Sequence, residues 1–124
     1  MARVFLDTNI FIDYVERKPS ADRAELVSHK VFVSVLSVHI LAYIYKYKVP
    51  TPKLKDLEKN FTLLPFNRII FEKSRLGPTT DFEDNVQLNS AVEADCDFFL
   101  TLDRQLLKLK FFGKTRVVSS LSAD

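Results

Sequence analysis

The chain has 124 residues, 47% of them hydrophobic and 27% charged, with a formal net charge of +2 at pH 7. That length predicts a single domain over 1–124 with a core of its own, and the composition excludes a disordered chain while leaving nucleic acid a compatible but undemanded partner. Cys96 is the lone cysteine, which excludes a disulfide framework and a thiolate metal cluster. With no apolar secretory core at the start and no apolar run that could span a bilayer, the expected setting is a reducing cytoplasm.

Val4 to Leu6 form an apolar run that stops abruptly on Asp7, and Ile10, Phe11, Tyr14 and Val15 follow at helical spacing. This predicts a buried strand feeding a helix from about Asn9 to Glu16. Pro19-Ser20 breaks that helix before a second one over Ala21 to Ser28, and Lys30 to Val33 reads as a strand. Leu36, Ile40, Tyr43 and Tyr47 then mark a helix from Ser34 to Lys48, ended by Pro50-Thr51-Pro52. A helix over Leu54 to Asn60 leads to a strand over Thr62 to Phe66.

Asn67 is placed to cap a helix reaching Leu76, which Gly77-Pro78 closes. The next helix starts near Asp81, with Val86, Ala91 and Ala94 as its apolar face and Glu83, Gln87 and Glu93 suited to solvent. Phe98 to Thr101 is a strand, Asp103 to Lys108 a short helix, and Thr115 to Val118 the last strand. Strands alternating with helices predict an α/β fold, with a parallel sheet, right-handed crossovers and helices on both faces.

In such a sheet, ligands sit beyond the carboxyl ends of the strands, where the strand order reverses. Asp7 follows the first strand, Asp103 lies two residues beyond the fourth, and Asp84 sits in the first turn of the helix that leads into the fourth. All three can meet at one edge if the first and fourth strands are neighbours. Singly, each serves equally well as a helix cap or turn residue, and Asp84 suits a helix N-terminus on dipole grounds alone. Jointly they need a divalent cation or raised pKa values to coexist, and oxygen ligands favour Mg²⁺ or Mn²⁺ over zinc. Asp81 reads as a cap, and Asp97, which precedes its strand, belongs to the opposite edge.

Three motifs carry a resemblance. Phe-Leu-Asp-Thr-Asn at 5 to 9, Asp-Phe-Glu-Asp at 81 to 84 with Gln87 and Ala91 following, and Cys-Asp-Phe-Phe-Leu-Thr-Leu-Asp at 96 to 103 resemble the PIN domain family. That family includes the VapC-type ribonuclease toxins of toxin-antitoxin modules. The resemblance implies a three-layer α/β/α domain on a five-stranded parallel sheet, and a metal-dependent ribonuclease with Asp7, Asp84 and Asp103 as catalytic metal ligands for Mg²⁺ or Mn²⁺. It also implies Asn9 and Thr101 as groups that hold the carboxylates. RNA as substrate, an antitoxin partner and a homodimer are implied in the same way, as is a partner groove beside the helices over Ser34 to Lys48 and Leu54 to Asn60, where Leu41, Ile44 and Tyr45 lie.

One departure stands out. Family toxins open the helix after the second strand with Ser-x-x-Thr-x-x-Glu, whereas Ser34, Ser37 and Ile40 occupy those places here. Neighbouring His39 points about 100° away from position 40 and is no substitute, and Tyr43 has the right spacing either to reach the pocket or to join the core. The alternative reading is therefore a weak or inactive module that binds RNA or an antitoxin.

Lys46, Lys48, Lys53 and Lys55 form one basic group, interleaved with Tyr43, Tyr45 and Tyr47, and Lys108, Lys110, Lys114 and Arg116 form another. Each suits phosphates or simply a solvated surface. Two other acidic-pocket classes fit poorly. A phosphorylated receiver domain needs an Asp at the end of its third strand, where Phe66-Asn67 stands, and a haloacid-dehalogenase-type phosphatase needs a second Asp where Asn9 stands.

Overall fold

The computed structural model describes residues 1–17 and 23–121, with the side chains of Arg23 and Ala24 left aside. The sequence-predicted break at Pro19-Ser20 and the start of the second helix at Ala21 lie outside the described residues.

Strands β1 (Arg3–Leu6), β2 (Lys30–Ser34), β3 (Thr62–Leu64), β4 (Phe98–Leu100), β5 (Phe111–Phe112) and β6 (Thr115–Val118) form one sheet in the order β3-β2-β1-β4-β6-β5. Every pairing is parallel except that of β5 with β6. The expected five-stranded parallel sheet is thus present with one short antiparallel strand added at its edge. A two-residue turn makes that addition, with Gly113 at φ +61°, a conformation a glycine adopts without steric penalty.

Because β1 lies between β2 and β4, the chain winds one way from β1 to β3 and then returns to the other side of β1. The switch point therefore falls between β1 and β4, as the acids required.

Alternation along the strands builds a core on each face. Val4, Leu6, Val31, Val33 and Leu100 point to one side, where Phe11, Ile12, Leu41, Leu57 and Phe61 cover them. Phe5, Phe32 and Phe99 point to the other, against Leu88, Ala91, Leu106 and Val117. Phe5 and Phe99, paired across β1 and β4, stack with ring centroids 5.3 Å apart. The strand sides at the switch point are thereby locked together.

Each helix near the switch starts on a side-chain cap. Asp7 caps α1 (Thr8–Ile12), which continues as a wider helical turn over Asp13–Arg17, and Ser34 caps α3 (Val35–Ile44). Asp81 caps α6 (Phe82–Glu93) and Asp103 caps α7 (Arg104–Leu107). The remaining helices are α2 (Arg23–Leu26), α4 (Pro52–Asn60) and α5 (Arg68–Ser74). Among these, α3 stops short of the predicted Lys48 because Lys46 turns left-handed, at φ 53°. Pro52, read as a terminator, instead opens α4 behind its cap Thr51, a first-turn position that needs no amide hydrogen.

Helix α6 departs most from its sequence reading. Seven consecutive residues, Asn85 to Ala91, are buried, so it has no solvent face along its middle and Gln87 is not solvent-directed. Its polar residues are satisfied internally. Asn85 Nδ2 donates to the carbonyls of Ser74 and Thr79, and Asn89 Nδ2 donates to those of Gly77 and Asn85, which ties down the loop between α5 and α6. Among the described residues no helix is long and apolar enough to cross a membrane.

Candidate active site

Asp7 stands where β1 becomes α1, 5% exposed. Its Oδ1 accepts from the Ile10 amide at 2.8 Å, and its Oδ2 accepts from the Thr101 hydroxyl. Burial pushes its pKa above the usual carboxylate value, and the fields of Asp103 and Asp13 push the same way. The hydrogen bonds from Thr101 and Ile10 oppose that rise only in part.

Thr101 is fully buried at the end of β4 and works in two directions. Its Oγ1 donates to Asp7 and accepts from the Asp103 amide at 3.0 Å, so one hydroxyl fixes two acidic residues on neighbouring elements. Asp103 is exposed, and its Oδ1 accepts from the amides of Gln105 and Leu106 at 2.8 and 3.2 Å.

Asp84 lies partly buried in the first turn of α6, and its amide donates to the cap Asp81. Desolvation raises its pKa to about 6, reinforced by the negative charges of Asp81, Asp103, Glu83 and Asp7. Asp7, Asp84 and Asp103 therefore share one electrostatic environment at the switch point. None of the three joins an ion pair among the described residues.

Their fit to a divalent cation rests on donor chemistry. Hard carboxylate oxygens, held in mutual repulsion and without a protein cation, are the donor set that Mg²⁺ and Mn²⁺ prefer. As placed, no three His, Cys, Asp or Glu side chains among the described residues stand close enough to ligate one ion together.

The other expectations divide. Asn9 is exposed, and the bonds that hold Asp7 come from Ile10 and Thr101 instead. Ile40 packs partly buried against the core, His39 is exposed, and Tyr43 is 79% exposed, so Tyr43 belongs to the surface. Ser34 and Ser37 do reach the acid edge. Ser34 caps α3, and the buried Ser37 hydroxyl shares a 2.8 Å hydrogen bond with Thr8 beside Asp7.

Asp97 belongs to the opposite edge, where it accepts from the Arg3 amide at 2.8 Å. Lys114 and Arg116 lie there too, since Arg116 pairs with Phe98 at the start of β4. The ten residues of α3 carry the chain roughly 15 Å along the helix from Ser34, and Lys46 follows its far end.

Sequence reasoning missed Gln87. Its side chain is 2% exposed, and its Oε1 accepts from the Thr8 amide at 2.6 Å, directly after Asp7. A glutamine three residues from an acid on the same helix was the available signal.

This geometry agrees with what comparison finds. The PIN domain family model matches residues 3–105, and the chain belongs to that family. No curated protein matches it.

Among solved structures, VapBC2 from Rickettsia felis bound to a DNA fragment from their promoter is similar at a TM-score of 0.66 and 15% identity, over 94% of this chain and 97% of that one. FitAB bound to an IR36 DNA fragment is similar at 0.55 and 18%, over 82% and 86%. FitAcB from Neisseria gonorrhoeae is similar at 0.55 and 21%, over 81% and 87%.

Proposed function

We propose that the chain is a divalent-metal-dependent endoribonuclease, acting as the toxin of a toxin-antitoxin pair. The single observation that supports this most is the acid edge itself, where burial together with the charge of Asp103 makes Asp7 and Asp84 costly to ionise, with no protein cation among the described residues to relieve them. A fold kept for stability alone gains nothing from that arrangement.

Asp7, Asp84 and Asp103 would hold the ion, Mg²⁺ or Mn²⁺. When bound, it supplies a polarised phosphate and a bound water of lowered pKa. Thr101 keeps Asp7 and Asp103 in fixed relation, and the Gln105 and Leu106 amides both fall on Asp103 Oδ1, which leaves its Oδ2 for the ion, while Asp7, bonded at Oδ1 by Ile10 and at Oδ2 by Thr101, would offer a further lone pair. Neutral Asp84 at low pH is a poor ligand, so cleavage should rise with pH through about 6.

The similar structures are complexes of a VapC or FitB chain with a partner, which supports an antitoxin here. The surface offered to it includes Tyr43, Ile44, Tyr45 and Val49, all exposed beside Lys46 and Lys48. A homodimer is proposed on family grounds.

Purified protein is expected to cleave single-stranded or structured RNA with added Mn²⁺ or Mg²⁺ and to stop on chelation. RNA binding without cleavage in either metal would favour the second reading, an inactive binding module. That reading has its own observation, since Ile40 packs against the core where a further carboxylate was expected. Ile40→Glu then distinguishes an impaired site, which gains cleavage, from one that never used the position.

A further inference from the structure

We infer that Gln87 is a positioning residue, one that sets the spacing between Asp7 and Asp84. The inference rests on the nuclease reading only for what that spacing serves.

A buried side-chain amide is costly unless both its ends are satisfied. Gln87 is 2% exposed, and like the other buried polar side chains of its helix, Asn85, Asn89 and Ser90, it is tolerated there because of what it binds. Its Oε1 accepts from Thr8 N–H at 2.6 Å, and its Nε2 donates to Glu83 Oε2 at 3.4 Å.

Thr8 N–H is one of the amide hydrogens that the first turn of a helix leaves without a partner. Asp7 satisfies the Ile10 amide of the same turn from its own side chain. The α1 N-terminus is thus capped twice, once by the residue that carries the candidate chemistry and once from α6. Thr8 Oγ1 extends the link to Ser37 on α3.

Gln87 lies three residues after Asp84 and so on the same side of α6, one turn below it. A bond from Gln87 to the residue after Asp7 therefore fixes α6 against the end of β1 at the height of the acids. No other described hydrogen bond joins α6 directly to Asp7 or Thr8.

The test compares Gln87→Met, which keeps length and removes the amide, with Leu88→Ala, which opens the core on the same helix away from the acids. In wild type, amide exchange at Thr8 and Ile10 and Mn²⁺ affinity by electron paramagnetic resonance give the baselines. For Gln87→Met, exchange at both amides should accelerate by more than about tenfold without metal, with Phe5 and Phe99 unchanged. Its Mn²⁺ affinity should fall by about tenfold, the lower end for groups that orient metal ligands. Leu88→Ala should lower Tm and leave Ile10 exchange and Mn²⁺ affinity within twofold.

If Gln87→Met lowers Tm but leaves Ile10 exchange and Mn²⁺ affinity within twofold, its role is packing and the inference is overturned. The exchange arm needs no metal. A wild type that binds no Mn²⁺ sinks the nuclease reading, while Ile10 exchange still decides whether Gln87 holds the Asp7 cap.

Discussion

The two edges of the sheet use the same residue type to opposite ends. Asp97, at the amino edge, accepts from the Arg3 amide, while the Arg3 guanidinium donates to the Ala94 carbonyl at 2.6 Å and lies over the Phe32 ring. Glu16, in the turn after α1, likewise accepts from the Tyr47 hydroxyl and pairs with Lys53, and its pKa is lowered, first by Tyr47 and then by Lys53. At the carboxyl edge, Asp7 and Asp84 carry raised values. Acids that brace the fold are compensated, and the acids proposed to hold a metal are left in tension.

That contrast is broken most directly by substitution at each edge. Asp7→Asn or Asp84→Asn should reduce metal-dependent RNA cleavage by about a hundredfold or more, since even groups that only orient metal ligands reach that range. Asp97→Asn should stay within about twofold of wild type, because Asp97 braces the far end of β1. Equal losses from the two edges would erase the distinction.

Stability should respond in the reverse sense. The folded value of Asp84, about 6, stands above the ordinary 3.8, so between those values the folded chain retains a proton that the unfolded chain has released. The cost of ionising Asp84 is absent below that window and complete above it. In metal-free buffer near pH 7.5, Asp84→Asn should therefore melt above wild type, and the advantage should shrink as pH falls through the window. Added Mn²⁺ should invert the order, raising wild-type Tm by mass action and leaving Asp84→Asn unmoved. Thermal scans across pH, with and without Mn²⁺, check both.

The smallest effect belongs to the brace. Asp97→Ala should destabilise by about 1 kcal/mol in chemical denaturation, the worth of one hydrogen bond at an exposed site, with cleavage per folded molecule unchanged.

The acid edge was legible in the chain because Asp7 directly follows an apolar run, Asp103 lies just beyond another, and Asp84 opens the helix that leads into that second run. What was not legible depends on contacts made elsewhere. Helix α6 carries Asn85, Gln87, Asn89 and Ser90 in its middle, which reads as a wet face, yet all four are buried because α5, the loop before α6 and the Thr8 amide supply partners for the first three, and Ser90 donates back to the Val86 carbonyl of its own helix. Of the two groups that the resemblance implied would hold the carboxylates, Thr101 does bond Asp7 from the end of the adjacent strand, whereas Asn9 is exposed and the second bond comes from the Ile10 amide, which no side-chain pattern announces. Strand β5 has two residues, too few to show a period, and only the turn at Gly113 marks it.

A crystal structure of the protein soaked in Mn²⁺, with the metal located by anomalous scattering, tests the central claim. One ion should appear beyond the ends of β1 and β4, with oxygens of Asp7, Asp84 and Asp103 drawn in to about 2.1 Å. If the ion binds elsewhere, or if the three carboxylates keep their present separation with nothing between them, the acid edge is not a metal site and the proposed hydrolysis has no basis.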